Sequence, residues 1–141
     1  MKTIYQTKVT AEGGRNGRVV SEDGILNFDV RVPQAMGGGG GSYTNPEQLF
    51  AAGYAACFDN ALIYLARRQK LKINSKVTAT VGLQETESGG FALIANLDVE
   101  IPGVEKSVAH ELIAQAHATC PYSNAIRNNV NVKVSLVENQ N

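Results

Sequence analysis

Two cysteines, Cys57 and Cys120, carry the most reactive groups in this sequence. Their wide separation along the chain leaves open whether they meet, and a disulfide would need their Cα atoms within about 7 Å. Cys57 lies among apolar residues, where burial raises the pKa of a thiol and makes it inert. Cys120 precedes Pro121 and a short predicted helix, whose N-terminus would favour a thiolate. The two thiols are therefore either a reactive pair or two small buried hydrophobic side chains.

A reactive Cys57 would need a positive charge from elsewhere in the sequence, because its own neighbours are apolar. Arg67 and Arg68 lie on the same predicted helix, but about 15 Å further along its axis. Arg15 and Arg18, in a glycine-rich turn, are the remaining candidates. Arginines in such turns are usually solvated, so the residues alone leave their role open.

The other titratable candidates are one carboxylate and two histidines. Glu47 falls in the first turn of a predicted helix, where a negative charge normally just complements the helix dipole. His110 and His117 lie roughly on one face of another predicted helix and, with Cys120, form a weak zinc-binding pattern that lacks a close pair of ligands. The sequence contains no Gly-x-Ser-x-Gly elbow, no Cys-x-x-Cys and no dinucleotide-binding fingerprint. The cysteines remain the first candidates.

Composition limits the classes of partner and compartment. The 141 residues include 13 basic and 13 acidic side chains, so neither nucleic-acid binding nor a polybasic membrane patch is favoured. The N-terminus lacks the apolar core of a signal peptide, and we expect a cytoplasmic protein. In a reducing compartment, a cysteine pair is more often catalytic, redox-sensing or metal-binding than purely stabilising.

A long apolar helix over residues 45–71 is the predicted centre of the fold. Asn45 is a good N-cap and Pro46 suits the first helical position. The following residues are apolar on nearly every side, which predicts burial on most sides, with the rest of the chain wrapped around the helix. Asp59 and Asn60 make the segment too mixed for a membrane span, so we predict no membrane partner.

The segments before the helix predict a small antiparallel β-meander over residues 1–36. Asp23-Gly24 is a strong tight-turn signal, and Pro33 ends the last strand. The predicted strands are residues 3–10, 19–21 and 26–32, with a hairpin turn at 12–18. The glycine run from Gly37 to Gly41 is either a flexible connector or a loop that approaches a site closely, and no phosphate-loop lysine follows it.

The second half predicts a hairpin at 76–101, helices at 104–128 and a final strand at 130–137, from apolar alternation and helical spacing. Two groups of strands separated by helices indicate an α+β fold, with largely antiparallel sheets packed on the central helix. The length suits one domain, residues 1–141.

Two long motifs resemble the organic hydroperoxide resistance (Ohr) proteins, a branch of the osmotically inducible protein C (OsmC) superfamily. The first is the stretch Thr44 to Phe58, and the second is Cys120-Pro121-Tyr122-Ser123-Asn124-Ala125. The resemblance also takes in Gly13-Gly14-Arg15 and the loop before the helix, and it covers essentially the whole chain. It implies an OsmC-like fold: an intertwined homodimer whose antiparallel sheets wrap around central helices.

The resemblance also implies the chemistry. Members of the family are thiol-dependent peroxidases that reduce organic hydroperoxides to alcohols, using a dihydrolipoyl group on a lipoylated protein as the external reductant and no bound cofactor or metal. By position, Cys57 matches the peroxidatic cysteine and Cys120 the resolving one, so a Cys57–Cys120 disulfide is expected. Arg15 and Glu47 match the pair that activates the peroxidatic thiol.

Physical arguments add two expectations to that reading. Glu47 and Cys57 are ten residues apart, about 15 Å along a straight helix. Unless Gly53 kinks the helix, we expect Glu47, with Arg15, to reach Cys57 of the partner subunit. Phe50, Tyr54 and Phe58 are the predicted members of an apolar wall of the site. Such a wall would favour alkyl or fatty-acyl hydroperoxides as substrates over hydrogen peroxide.

Two other functions remain compatible with the residues. One is a redox sensor whose Cys57–Cys120 disulfide signals to a partner without turnover. The other is a non-enzymatic binding or zinc-stabilised domain with inert cysteines. Within the peroxidase reading, Arg18 could substitute for Arg15.

Overall fold

The computed structural model describes residues 1–138 and divides into two compact units, Met1–Leu49 and Phe50 onward. The prediction of a single domain stays a prediction. The fold combines two three-stranded sheets with helices, so the predicted α+β class is confirmed.

The first unit contains an antiparallel meander of β1 (Val9–Glu12), β2 (Arg18–Ser21) and β3 (Asn27–Asp29). The predicted meander and its order are confirmed, but two of its strands are shorter than predicted. β1 starts at Val9 instead of residue 3, and β3 pairs over only three residues of the predicted 26–32. The reason is that β2, which lies between them, is four residues long and offers no further partners.

The predicted hairpin turn between β1 and β2 contains a short 3-10 helix, Gly14–Asn16. A side chain at Gly17 would place its Cβ 1.7 Å from the carbonyl oxygen of Glu12, so this close approach requires glycine. Backbone hydrogen bonds hold the start of the glycine run after β3, because the N–H groups of Gly37 and Gly38 donate to the carbonyl oxygens of Gln34 and Pro33.

Helix α1 runs from Pro46 to Arg68 without interruption. The predicted N-cap is confirmed, since Asn45 Oδ1 accepts a hydrogen bond of 2.8 Å from the backbone of Gln48. The helix ends three residues before the predicted residue 71. Lys70 adopts a left-handed conformation with φ 60°, which stops the helix.

Only one side of α1 is buried in this chain, whereas its composition predicted burial on most sides. The buried face follows the helical repeat and packs into the core of the second unit; it comprises Tyr54, Phe58, Ala61, Leu62 and Ala66. Ala52, Ala56 and Tyr64 are exposed. The difference arises because the core supplied by this one chain reaches a single face of the helix.

The same helix is the one segment among residues 1–138 that is long and apolar enough to cross a membrane by length and composition. This differs from the sequence-based judgement that Asp59 and Asn60 make it too mixed, because one charge and one amide do not outweigh so many apolar residues. Buried core helices of soluble proteins meet the same criterion.

The second unit contains a sheet of order β4-β5-β6 and two further helices. The predicted hairpin is confirmed as β4 (Lys76–Glu85) and β5 (Phe91–Glu100). Helices α2 (Lys106–Thr119) and α3 (Pro121–Ile126) follow, and then β6 (Val132–Leu136). The other strand pairings of the two sheets are antiparallel, as the prediction of largely antiparallel sheets requires, but β6 pairs with β5 in parallel, because the two helices form a crossover before the chain re-enters the sheet.

Candidate active site

The second unit brings the two cysteines together. Cys57 lies in the middle of α1, and Cys120 lies between α2 and α3. Their Sγ atoms are 3.6 Å apart, both cysteines are free, and the Cys120 thiol donates to the Cys57 sulfur. Cys120 is fully buried, whereas Cys57 is only half-buried. The more exposed thiol is therefore the one in the long apolar helix, at the edge of its buried face.

Several contacts act on the pKa of the Cys57 thiol. Burial raises this pKa above its ordinary value, and the hydrogen bond with Cys120 adds to the increase. A hydrogen bond from the backbone N–H of Tyr122 opposes it, because that donor stabilises a thiolate. Since the net shift is upward, these contacts within the second unit leave Cys57 mostly protonated at neutral pH. A reactive Cys57 needs a positive charge in addition.

Tyr122 is a residue that the sequence reasoning did not assign to the site. Pro121 occupies the start of α3, so the next backbone N–H is a free donor at the helix N-terminus and points to the sulfur of Cys57. The signal was present as Cys-Pro before a short helix. It could not show which side chain that N–H would face, because Cys57 belongs to a distant helix.

The predicted apolar wall forms an aromatic cluster with one additional member, Tyr122. Neighbouring rings of the cluster have centroids 6.0 to 6.5 Å apart. Tyr54 and Phe58 are fully buried, so they form the inner part of the cluster, while Phe50 is partly exposed and Tyr122 is 39% exposed. A Cβ at position 53 would lie 2.6 Å from the Tyr122 hydroxyl, so Gly53 allows that ring to lie against α1.

The first unit brings Arg15 and Glu47 together. The Arg15 guanidinium donates two hydrogen bonds to the two carboxylate oxygens of Glu47, at 2.9 and 2.7 Å. This pair of hydrogen bonds lowers the pKa of Glu47 and raises the pKa of Arg15. Arg15 is positioned by the 3-10 turn and Glu47 by the first turn of α1. The ion pair is thus a fixed arrangement, with the guanidinium oriented by the carboxylate.

The ion pair makes a direct prediction about titration. Arg15→Ala is expected to raise the pKa of Glu47 towards its ordinary value, because the largest cause of its lowering is the Arg15 hydrogen bond. A depressed carboxyl pKa stabilises the fold above the unfolded-state pKa, and this contribution is lost as pH falls through the folded-state value. Carboxyl-detected NMR titration of both proteins measures the shift. An identical Glu47 pKa in the two proteins would show that this pair of hydrogen bonds does not persist in solution.

The other basic and histidine candidates have different surroundings. Arg18 pairs with Asp29 at 2.5 Å on the exposed part of the meander. His117 Nδ1 is hydrogen-bonded to Ser123 Oγ at 2.9 Å. Within residues 1–138, no group of three or more histidine, cysteine or acidic side chains is arranged to hold a metal ion.

Comparisons with known proteins identify relatives over nearly the full length. Residues 38–135 match the family model described as OsmC-like protein. The organic hydroperoxide resistance protein of Xanthomonas axonopodis pv. citri is 44% identical over 137 residues, covering 96% of each chain. The Bacillus subtilis protein OhrB is 47% identical over 134 residues, covering 94% of this chain and 98% of the relative. The solved structure of an organic hydroperoxide resistance protein from Elizabethkingia anophelis superposes with a TM-score of 0.93 at 50% identity, covering 99% and 100% of the two chains.

Proposed function

Because the chain belongs to the organic hydroperoxide resistance branch of the OsmC-like proteins, we propose that it is a thiol-dependent peroxidase that reduces organic hydroperoxides to alcohols. Membership of this family implies hydroperoxide detoxification. The observation that carries the finer proposal is the 3.6 Å between the sulfur atoms of Cys57 and Cys120. Two free thiols at that distance need only a small displacement to form a disulfide of about 2.05 Å.

The proposed reaction has two oxidative steps. The Cys57 thiolate attacks one peroxide oxygen, the O–O bond breaks, and the alkoxide leaves as the alcohol after taking a proton. Cys57 is oxidised to a sulfenic acid. The Cys120 sulfur then attacks the Cys57 sulfur, the S–O bond breaks, and the hydroxide leaves as water with the thiol proton of Cys120. A dithiol returns two electrons and restores both thiols.

Arg15 is proposed to activate Cys57, with Glu47 as its orienting partner. A planar guanidinium held by two hydrogen bonds to a carboxylate can present its remaining N–H groups to a thiolate. The pKa of Cys57, raised by burial, makes such a cation necessary. Glu47 and Cys57 are ten residues apart on an uninterrupted helix, which supports action of the pair on Cys57 of the partner subunit.

We therefore propose a homodimer of intertwined chains, with sheets wrapped around two central α1 helices. The single-sided burial of α1 supports it, because the exposed face carries Ala52, Ala56 and Tyr64, with the polar Asn60 between them. A second copy could place the same mostly apolar face against this one about a two-fold axis.

The substrate is proposed to be an alkyl or fatty-acyl hydroperoxide. Phe50, on the helix of Cys57, and Tyr122, which packs against it, offer accessible aromatic surface, with Tyr54 and Phe58 packed behind them. Hydrogen peroxide has no alkyl group to use that surface. The proposed reductant is a dihydrolipoyl dithiol on a lipoylated protein of the cytoplasm, with no bound cofactor.

The test is peroxide consumption with dihydrolipoamide as reductant, comparing tert-butyl hydroperoxide with hydrogen peroxide. We expect turnover with both, and a kcat/KM at least about tenfold higher for the organic peroxide, the discrimination that a few apolar groups provide. Equal values would remove the role of the aromatic cluster in selectivity. No turnover with free thiols confirmed would contradict the peroxidase proposal and favour a sensor whose disulfide signals to a partner.

A further inference from the structure

A buried chain of hydrogen bonds lies next to the cysteines and has no role in the chemistry described above. The hydroxyl of Tyr54 and the Oγ of Ser123 are 2.7 Å apart, and the same Oγ lies 2.9 Å from His117 Nδ1. Ser123 and Tyr54 are both completely buried. Ser123 is therefore a polar side chain in the core whose hydroxyl has two hydrogen-bond partners.

The three residues come from α1, which carries Cys57, and from α2 and α3, which flank Cys120. Tyr54 lies on α1 three residues before Cys57, so their side chains share one helix face. His117 lies in the last turn of α2, three residues before Cys120, and Ser123 lies three residues after Cys120 in α3. One hydroxyl thus joins the helix of Cys57 to both sides of the Cys120 segment.

The donors and acceptors of this chain of hydrogen bonds favour one fixed arrangement of Tyr54, Ser123 and His117. A serine hydroxyl has one proton to donate and also accepts, so it can accept from Tyr54 while it donates to a neutral His117. Burial lowers the pKa of His117, and the nearby Arg127 lowers it further, which keeps the imidazole neutral. Arg127 also donates to the backbone carbonyl of His117. A buried hydroxyl deprived of its hydrogen-bond partner is unfavourable, so each member helps to hold the others in place.

The short helix α3 is fixed against α1 by the Tyr122 ring, which packs on Phe50 and Tyr54, and by the Ser123 hydroxyl. It is six residues long, and within it only Ser123 is buried. Its first turn nevertheless supplies the Tyr122 N–H to the Cys57 sulfur and follows directly after Cys120. The hydrogen bonds of Ser123 therefore contribute to the placement of Cys120 relative to Cys57.

We propose that Ser123 is a positioning residue for the resolving step: its links to Tyr54 and His117 hold Cys120 at the distance from which it condenses with the Cys57 sulfenic acid. This inference rests on the proposed peroxidase function. In the condensation the Cys120 sulfur forms the S–S bond, the S–O bond of the sulfenic acid breaks, and water leaves. A small misplacement of the attacking sulfur slows such a step strongly.

The experiment separates the two oxidative steps with tert-butyl hydroperoxide. Attack on the peroxide is timed in the Cys120→Ser background, where no Cys57–Cys120 disulfide can form, with and without Ser123→Ala. Condensation is timed in the two-cysteine chain by trapping the remaining sulfenic acid with a dimedone-type reagent. We expect Ser123→Ala to slow condensation at least about tenfold more than it slows attack. Ser107→Ala, at an exposed position of α2, is the matched control and should change neither rate.

Two further variants remove the residues at the two ends of this chain of hydrogen bonds. Tyr54→Phe and His117→Gln should show the same selective loss of condensation, compared with Tyr5→Phe, at an exposed position before β1, and His110→Gln, at an exposed position of α2. A difference between the two steps below tenfold in Ser123→Ala overturns the positioning role, whether both rates fall together or neither falls. A wild-type protein that fails to reduce the peroxide instead refutes the peroxidase function itself, so the two failures are distinguishable.

Discussion

Cys57→Ser is expected to abolish reduction of tert-butyl hydroperoxide, both in the first turnover and at steady state. A hydroxyl is far less nucleophilic than a thiolate, and loss of an attacking group reduces rates by at least about a thousandfold. Cys120 cannot replace it easily, since that thiol is fully buried while Cys57 is half-buried. The measurement is peroxide consumption by equimolar reduced protein, followed by turnover with dihydrolipoamide.

Cys120→Ser is the informative counterpart to this variant, because the two thiols have different roles. It should consume one equivalent of peroxide and then stop, leaving a Cys57 sulfenic acid that dimedone traps. A Cys57→Ser protein that still reduces one equivalent would show that Cys120 makes the first attack, and the order of the two cysteines would have to be reversed.

Arg15→Ala is expected to have the second largest effect, lowering the rate of peroxide attack at neutral pH by about a hundredfold. Without the guanidinium the thiol pKa of Cys57 should rise further, and each unit lowers the thiolate fraction at neutral pH about tenfold. A raised thiol pKa moves the rising limb of the plot of rate against pH to higher pH, so the activity of the variant should recover as the pH rises. Alkylation of Cys57 by iodoacetamide as a function of pH measures the shift.

Arg18→Ala is the matched control for this experiment, since Arg18 lies in the same hairpin region but pairs with Asp29. It should leave the rate of peroxide attack within about twofold of wild type, as exposed ion pairs contribute little. Full activity in Arg15→Ala together with loss in Arg18→Ala would transfer the activating role to Arg18. Arg15→Lys should be intermediate, because an ammonium keeps the charge but not the two-pronged contact with Glu47.

The parts of the fold that were predictable from sequence are those determined by neighbouring residues. Apolar alternation placed the outer ends of the hairpin, predicted at 76–101, within a residue of Lys76 and Glu100, and Asn45 caps α1 as its type predicts. The end of α1 was missed because Lys70 takes a left-handed backbone conformation that its residue type does not signal. The parallel pairing of β6 with β5 depends on the path of two intervening helices, which no local pattern records.

The candidate site also combines features that the sequence predicts with features that depend on distant parts of the chain. Residue types identified Cys57 and Cys120 as candidates, but nothing near either one could show that their sulfurs lie 3.6 Å apart. The two-pronged contact between Arg15 and Glu47 likewise joins a hairpin turn to a helix N-terminus. The role of the Tyr122 backbone N–H escaped sequence reasoning altogether, since every residue except proline has such a donor and only packing decides what it faces.

Gly53 imposes a limit on how far this chain can be stabilised. Glycine inside a helix is unfavourable by roughly 0.5–1 kcal/mol relative to alanine, so Gly53→Ala would ordinarily be a first choice for a more heat-resistant variant. Here the added methyl group would occupy the space of the Tyr122 hydroxyl. The alanine variant would therefore have to displace the Tyr122 ring, which belongs to the residue whose backbone N–H faces the sulfur of Cys57. Substitutions intended to raise the thermal stability of α1 should therefore be placed at other positions of the helix.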